Sequence, residues 1–171
     1  MIIINISEEQ IKEAYNLYSF NELNGSITKG KSNFFGALGE IIIRDYFLSL
    51  NYKVEMVNDY NYDLIINNKK IDVKTKRTTT IPEENFNCSI SSFNIKQKTE
   101  YYFFVRITED SKTGFILGYL SKNKFFEKST FNKKGEKDEN GWIFKDDCYN
   151  VKIKDLNKFK HEVRDIIKSD K

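Results

Sequence analysis

Two short segments of alternating apolar and polar residues, separated by a turn, constrain the fold of this chain more than any other feature. Residues 62–66 and 71–75 alternate with a period of two, and the Asn-Asn-Lys sequence at residues 67–69 is typical of a tight turn. If the two asparagines form a two-residue loop, Asp63 lies directly opposite Asp72. The sequence therefore predicts a β-hairpin whose register is set by its turn.

The two faces of this predicted hairpin differ in chemistry, because successive side chains of a strand point to opposite faces. One face carries Tyr62, Leu64, Ile71 and Val73, and the other carries Asp63, Asp72 and Lys74. Directly opposed residues have Cβ atoms roughly 4.5–5.5 Å apart, so two like charges destabilise the pair unless a cation lies between them. A solvated charged face is the simpler alternative. The opposed acids weigh against that alternative without excluding it.

A segment upstream of the hairpin supplies a third carboxylate. Residues 32–48 begin with residues suited to a helix cap and continue as an apolar run, which predicts a largely buried helix containing Glu40. Gly36 and Gly39 each cost about 1 kcal/mol relative to alanine inside a helix. We expect them to form a small surface that lets the helix approach the sheet, so that Glu40 reaches the acidic strand edge. An ordinary exposed glutamate is the alternative.

Together these residues have a recognisable chemistry. Glu40, Asp63 and Asp72 offer hard oxygen ligands to one or two divalent cations. Lys74 can stabilise an attacking water or the charge that develops on a phosphate. Metal-dependent cleavage of a phosphodiester bond requires groups of this kind, so we expect a site for Mg²⁺ or Mn²⁺.

The arrangement resembles the PD-(D/E)XK nuclease superfamily, which includes restriction enzymes, Holliday-junction resolvases and phage recombination nucleases. The resemblance lies in the order Gly36-x-x-Gly39-Glu40, Asp63, hairpin and Asp72-Val73-Lys74, and it covers roughly residues 33–108. Asn-Tyr at residues 61–62 stands where a proline often precedes the first acid. The resemblance implies an α/β fold with a restriction endonuclease-like core, in which a mixed central β-sheet is flanked by helices.

The resemblance also implies roles for the matching residues. Asp63 corresponds to the metal-bridging acid, Asp72 to the second acid and Lys74 to the catalytic lysine. Glu40 corresponds to the helix glutamate, and the carbonyl of Val73 adds a metal ligand. The implied activity is that of a Mg²⁺- or Mn²⁺-dependent DNA endonuclease, in which Lys74 activates water for in-line attack on phosphorus.

Three alternatives for the function stay open. The chain has no evident specificity module, which favours a structure-selective endonuclease of the resolvase, recombination or repair type. The second alternative is a compact restriction-type endonuclease that reads sequence through residues 78–100. The third is a non-catalytic nucleic-acid-binding or inhibitory protein on the same fold, although opposed acids would repel phosphate. DNA is the expected partner, and a homodimer would supply the two sites that cutting a duplex needs.

Local positive charge favours a nucleic-acid partner more than the total charge does, because the net charge is only +3. Lys76 and Arg77 follow the acidic hairpin, and Lys31 and Arg44 flank Glu40. A cationic rim around an acidic centre suits a phosphate backbone that approaches a metal, so we expect these four residues to contact DNA. A charged edge that prevents strand-to-strand aggregation is the alternative.

The remaining segments are expected to complete a single domain over residues 1–171. Ser7 and Gln10 form a capping box at the start of the first helix. The expected elements are that helix at residues 7–20, strands at 101–107 and 114–120, a short helix at 121–128, loops at 78–100 and 129–141, and a closing helix at about 155–168.

Other features of the sequence limit the setting in which the protein is expected to act. No segment is apolar for long enough to cross a bilayer and the amino terminus lacks a signal-peptide pattern, so a reducing cytoplasm and no membrane contact are expected. Cys88 and Cys148 match no metal-binding spacing. His161 is the single histidine, which excludes a histidine-based nuclease. Gln97 and Tyr101 match the Q-x-x-x-Y spacing of a RecB-like branch, a pattern that chance also produces.

Overall fold

A computed structural model of the protein describes residues 1–23 and 31–159, with their side chains except at 18–23, 31–33 and 58. The helices are α1 (Glu8–Leu23), α2 (Lys31–Ser49) and α3 (Lys122–Lys128). The strands are β1 (Ile2–Asn5), β2 (Val54–Asp59), β3 (Tyr62–Ile66), β4 (Lys69–Thr78), β5 (Asn87–Ser91), β6 (Tyr101–Thr108), β7 (Thr113–Ser121), β8 (Thr130–Asn132) and β9 (Cys148–Lys152). Two 3₁₀ helices, Ser92–Lys96 and Ile153–Asp155, follow β5 and β9.

The described strands form two sheets. Six strands form a sheet in the order β1-β7-β6-β4-β3-β2, and three form a smaller sheet in the order β5-β9-β8. Strands β4 and β6 pair in parallel, whereas the other neighbouring pairs of the large sheet are antiparallel. The chain is thus a mixed α/β protein with a mixed central sheet, which confirms this level of the predicted fold.

Apolar cores lie on both faces of the large sheet. On one face, α2 packs against β3, β4 and β6 through Leu38, Ile41, Phe47, Leu64, Ile71, Val73 and Phe103. On the other face, the small sheet and α3 pack against β6 and β7 through Ile90, Tyr102, Phe104, Leu117 and Phe125. Strand β4 therefore has an α2 face with Val73, and its alternate residues Asp72 and Lys74 belong to the opposite face.

The predicted hairpin is confirmed, as is its register at the paired residues, whereas the predicted Asp63–Asp72 pair lies just beyond them. Leu64 pairs with Ile71 and Ile66 pairs with Lys69, as a two-residue loop requires. Asn67 and Asn68 have φ angles of 44° and 67°, the left-handed values that both central residues of a type I′ turn need. Asparagine tolerates this conformation better than other non-glycine residues. The turn chemistry therefore fixes which face of the hairpin carries the acids.

Three further predicted elements are confirmed by their local contacts. The capping box of α1 is formed by Gln10 N, which donates to Ser7 Oγ at 3.2 Å, and Ser7 N, which donates to Gln10 Oε1 at 3.1 Å. Strands β6 and β7 pair antiparallel across the turn at residues 109–112. Helix α3 is capped by Ser121, whose Oγ accepts from Lys124 N at 3.3 Å.

The carboxyl-terminal prediction is wrong at its start. Asp155 ends a 3₁₀ helix, Leu156 is extended, and Asn157 pairs with Tyr119 of β7 through two backbone hydrogen bonds of 3.0 Å. Burial of Leu156 and this pairing hold residues 155–159 against β7, where a continuous helix would lose both contacts. Residues 160–168 of the predicted helix, and with them His161, lie outside the described residues.

The two predicted loops also contain regular structure. Residues 78–100 include β5 and a 3₁₀ helix, and residues 129–141 include β8. Both short strands pair with β9, a partner that is distant in sequence, although β5 itself alternates over its five residues. None of the helices in the described part of the chain is long and apolar enough to cross a membrane.

Candidate functional site

Four of the predicted site residues converge at one end of the β3–β4 hairpin. Glu40 lies on α2, Asp63 on β3, and Asp72 and Lys74 on β4. The pKa of Glu40 responds to the charges of the other three residues, so all four lie within electrostatic range of one another. The structure therefore brings together three carboxylates and one ammonium group from three elements.

Asp72 is the most deeply buried of these groups, with 1% of its surface exposed. Its Oδ1 accepts a hydrogen bond of 2.8 Å from Gln97 Nε2. Its Oδ2 lies 2.6 Å from Lys74 Nζ, yet this buried oxygen accepts no hydrogen bond of regular geometry from any described residue. Burial raises the pKa of Asp72, while Lys74 and Gln97 act in the opposite direction. Asp72 Oδ2 is thus stabilised by the charge of Lys74.

Asp63 fastens β3 to β4 just beyond the last paired residues of the hairpin. Its Oδ2 accepts a 2.7 Å hydrogen bond from Val73 N. Burial and the nearby Asp72 raise the pKa of Asp63 to about 7, although the Val73 amide and Lys74 lower it. The N–H and C=O of one strand residue point to the same side of the strand, so the Val73 carbonyl is also directed toward β3. Use of that carbonyl as a metal ligand stays a prediction.

Glu40 is partly buried at the α2 side of the cluster. Burial raises its pKa well above the ordinary value, Asp63 and Asp72 raise it further, and Lys74 lowers it. Its neighbour Gly39 packs directly on Thr75 of β4, which brings α2 close to the hairpin. The predicted close approach of helix and strand is confirmed at Gly39.

Glu40, Asp63 and Asp72 carry the type of ligand atom that a hard divalent cation prefers. Carboxylate oxygens are the ligands that Mg²⁺ prefers, and a cation would relieve the mutual repulsion that raises the pKa of Glu40 and Asp63. Within residues 1–23 and 31–159, no group of three or more His, Cys, Asp or Glu side chains is placed so that it could hold a metal ion. Lys74 Nζ lies 2.6 Å from Asp72 Oδ2, so a cation bound at this oxygen would have to displace the lysine.

Of the four cations predicted to contact DNA, the three with described side chains lie in different surroundings. Both terminal nitrogens of Arg44 contact the carboxylate of Glu13 on α1. The distance from Arg44 Nη2 to Glu13 Oε2 is 2.8 Å. Arg77 is exposed on β4, whereas the neighbouring Lys76 points to the other face and donates to Ser89 Oγ at 2.7 Å. The side chain of Lys31 lies outside the described ones. Contact of these residues with DNA stays a prediction.

Gln97 contacts the acidic cluster directly, a contact that the Q-x-x-x-Y spacing alone did not predict. Its Nε2 donates to Asp72 Oδ1 and to the backbone carbonyl of Tyr60, both at 2.8 Å. Tyr102, which pairs with Asp72 across β4 and β6, carries a buried hydroxyl with no hydrogen-bond partner among the described residues. Burial, and then the nearby Asp72 charge, raise the pKa of Tyr102. The Q-x-x-x-Y spacing pointed to Gln97, whereas no local signal pointed to Tyr102.

No protein-family model and no curated protein matches the sequence of this chain.

Proposed function

We propose that this protein is a metal-dependent nuclease on a restriction endonuclease-like core, and that it hydrolyses phosphodiester bonds of DNA with Mg²⁺ or Mn²⁺. The observation that carries the proposal is the buried Asp72 carboxylate, held between Gln97 and Lys74 and within electrostatic range of Glu40 and Asp63. A protein that only bound nucleic acid would gain nothing from three mutually repelling carboxylates beside the phosphate.

Each residue has a distinct part in the proposed reaction. Asp63, Asp72 and the Val73 carbonyl would hold the cation, and Glu40 would complete or order its surroundings. The cation supplies Lewis-acid activation of the phosphate and of a bound water. Lys74 would hold the attacking water and stabilise the negative charge that grows on the phosphate oxygens.

The burial of these side chains supports the separate roles of the acids and of Lys74. Asp72 is shielded from bulk water, and electrostatic interactions are stronger where water is excluded. Lys74 is 21% exposed in its ion pair with Asp72, so its ammonium group can reach solvent and a substrate from there. The buried acids would therefore hold the cation, and the partly exposed lysine would meet the phosphate.

The test is cleavage of labelled DNA by the purified protein. A four-way junction, a flap, a linear duplex and a single strand are each incubated with Mg²⁺, Mn²⁺ or EDTA. We expect metal-dependent cutting that Asp63→Ala, Asp72→Asn and Lys74→Ala each abolish. Glu109→Gln is the matched control, because this exposed residue lies in the β6–β7 turn away from the cluster.

Two readouts keep a negative result interpretable. Circular dichroism and thermal melting establish that each variant is folded, and calorimetric titration with Mn²⁺ measures whether a cation binds. Cutting that survives in Asp72→Asn would reject the assigned site. Folded wild-type protein that binds DNA tightly in EDTA and never cuts with any metal would favour the non-catalytic binding protein.

A further inference from the structure

Two exposed aromatic residues lie on segments that a hydrogen bond joins next to the candidate site. Tyr60, in the turn between β2 and β3, is 61% exposed, and Phe93, in the 3₁₀ helix after β5, is 77% exposed. The Tyr60 hydroxyl donates a 2.8 Å hydrogen bond to the Phe93 carbonyl. The two rings are therefore carried by segments 33 residues apart in sequence that are joined directly in space.

This aromatic pair is attached to the acidic cluster through one side chain. Gln97 Nε2 donates both to the Tyr60 carbonyl and to Asp72 Oδ1, at 2.8 Å in each case. A second bond of 3.2 Å, from Lys98 N to Asn61 Oδ1, fixes the same turn. A single amide group thus separates the backbone of Tyr60 from the Asp72 carboxylate, and the turn is held in place before any ligand arrives.

Folding gives no reason for these rings to be exposed. No residue of the 3₁₀ helix Ser92–Lys96 is buried, so Phe93 contributes little to either core. Lys96 and Lys98, both exposed, follow Phe93 in sequence and add positive charge to the same segment. Aromatic rings interleaved with lysines are the combination by which proteins bind single-stranded nucleic acid, with the rings on the bases and the cations on the backbone.

We propose that Tyr60 and Phe93 form a stacking platform for unpaired nucleobases, and that the site acts on nucleic acid with single-stranded nucleotides beside the scissile phosphate. The part of this inference that concerns the reaction rests on the proposed function. The binding of unpaired bases does not depend on it. Bases inside a duplex already stack on each other, whereas unpaired bases expose the faces that Tyr60 and Phe93 would cover. Lys96 and Lys98 would follow the adjoining phosphates.

The experiment measures binding in EDTA, where no metal-dependent cleavage takes place. Wild-type protein is titrated into a labelled single strand, a duplex and a flap, and 2-aminopurine in the single strand reports stacking through quenching of its fluorescence. We expect Phe93→Ala and Tyr60→Ala each to weaken single-strand binding about tenfold and to remove the quenching, with duplex affinity within about twofold of wild type. Tyr60→Phe should retain both, because it keeps the ring.

Phe131→Ala is the matched control, because Phe131 is an exposed aromatic on β8, the outer strand of the small sheet. Equal weakening of single-strand and duplex binding by Phe93→Ala, or no weakening at all, would overturn the platform. So would a wild-type dimer that Phe93→Ala dissociates without changing DNA binding, since the rings would then form a protein interface. Ring-dependent single-strand binding without metal-dependent cutting would support the platform while rejecting the nuclease.

Discussion

Gly39 of α2 lies so close to Thr75 of β4 that no larger residue fits between helix and strand. A Cβ atom built on Gly39 would lie 1.9 Å from Thr75 Oγ1 and 3.0 Å from Thr75 Cβ. The next residue along the helix is Glu40, so the same contact sets the distance of its carboxylate from the hairpin. In contrast, a Cβ built on Gly36 would meet no atom within 4 Å in the described part of the chain.

Gly39→Ala should separate the helix from the strand. We expect a net destabilisation of about 1–2 kcal/mol, because overpacking outweighs the gain of roughly 0.5–1 kcal/mol that alanine brings to a helix. Cleavage should fall by about a hundredfold if Glu40 moves by an ångström. Urea denaturation and the DNA cleavage assay measure the two effects.

Two variants separate this contact from general effects of alanine. Gly36→Ala should stabilise the protein by about 0.5–1 kcal/mol, since its methyl group enters open space. Thr75→Ala combined with Gly39→Ala should recover most of the lost stability, because it removes the hydroxyl that the new methyl group would meet. If the double variant were no more stable than Gly39→Ala alone, the contact would not be the cause.

Asp72→Asn should make the metal-free protein more stable and remove its response to metal. The change deletes one of three like charges but keeps the amide oxygen that Gln97 can bond. We expect a gain on the order of 1 kcal/mol in EDTA, as is common where function requires unfavourable charges. Millimolar Mg²⁺ should raise the melting temperature of the wild type and leave that of Asp72→Asn unchanged. An equal rise in both proteins would contradict binding of the cation at Asp72.

Gln97 should act as a positioning residue for Asp72. Gln97→Leu removes the donor to Asp72 Oδ1 and to the Tyr60 carbonyl, so a buried carboxylate oxygen loses its partner. We expect a loss of about 1–3 kcal/mol of stability. Steady-state cleavage should show a lower kcat and also a raised KM for single-stranded substrate, because both Asp72 and the Tyr60 turn are released. Gln10→Leu, which affects the α1 cap, controls for stability; a matching kinetic defect there would refute a specific role.

The hairpin and its acids were predictable because the residues that determine them are neighbours in sequence. Alternation within ten residues and two adjacent asparagines were enough to set the pairing of Leu64 with Ile71, and with it the position of Asp63 near Asp72. Gly39, next to Glu40, likewise predicted a close contact of the helix with the sheet. The sequence did not predict that Thr75 would be the partner.

The small sheet was not predictable, because its strands depend on partners that are distant in sequence. Strand β5 alternates over only five residues and β8 is three residues long, so local periodicity is a weak signal for both, and each is completed by pairing with β9. The same holds for side chains. Arg44 was expected to be free for DNA, but its partner Glu13 lies on a different helix, 31 residues away.

Burial of Lys76 should make the stability of the protein depend on pH. Burial, followed by the nearby Arg106, lowers the pKa of Lys76 to about 8 from its ordinary 10.5. Below pH 8 the lysine is charged in both the folded and unfolded states, so the folded state bears the full penalty of burying the charge. Between pH 8 and 10.5 only the folded state releases the proton, so the penalty fades as pH rises. Lys76→Met should therefore stabilise the protein by on the order of 2 kcal/mol at pH 7 and progressively less toward pH 10.5.

Urea denaturation of wild type and Lys76→Met at pH 7 and pH 10 measures this difference. The Ser89 hydroxyl also donates to Asn150 Oδ1, so it keeps a partner after the substitution. Lys124→Met, at an exposed position on α3, should change stability by less than about 0.5 kcal/mol at either pH. A stabilisation by Lys76→Met that is the same at both pH values would indicate improved apolar packing, and would contradict a buried charge as its source.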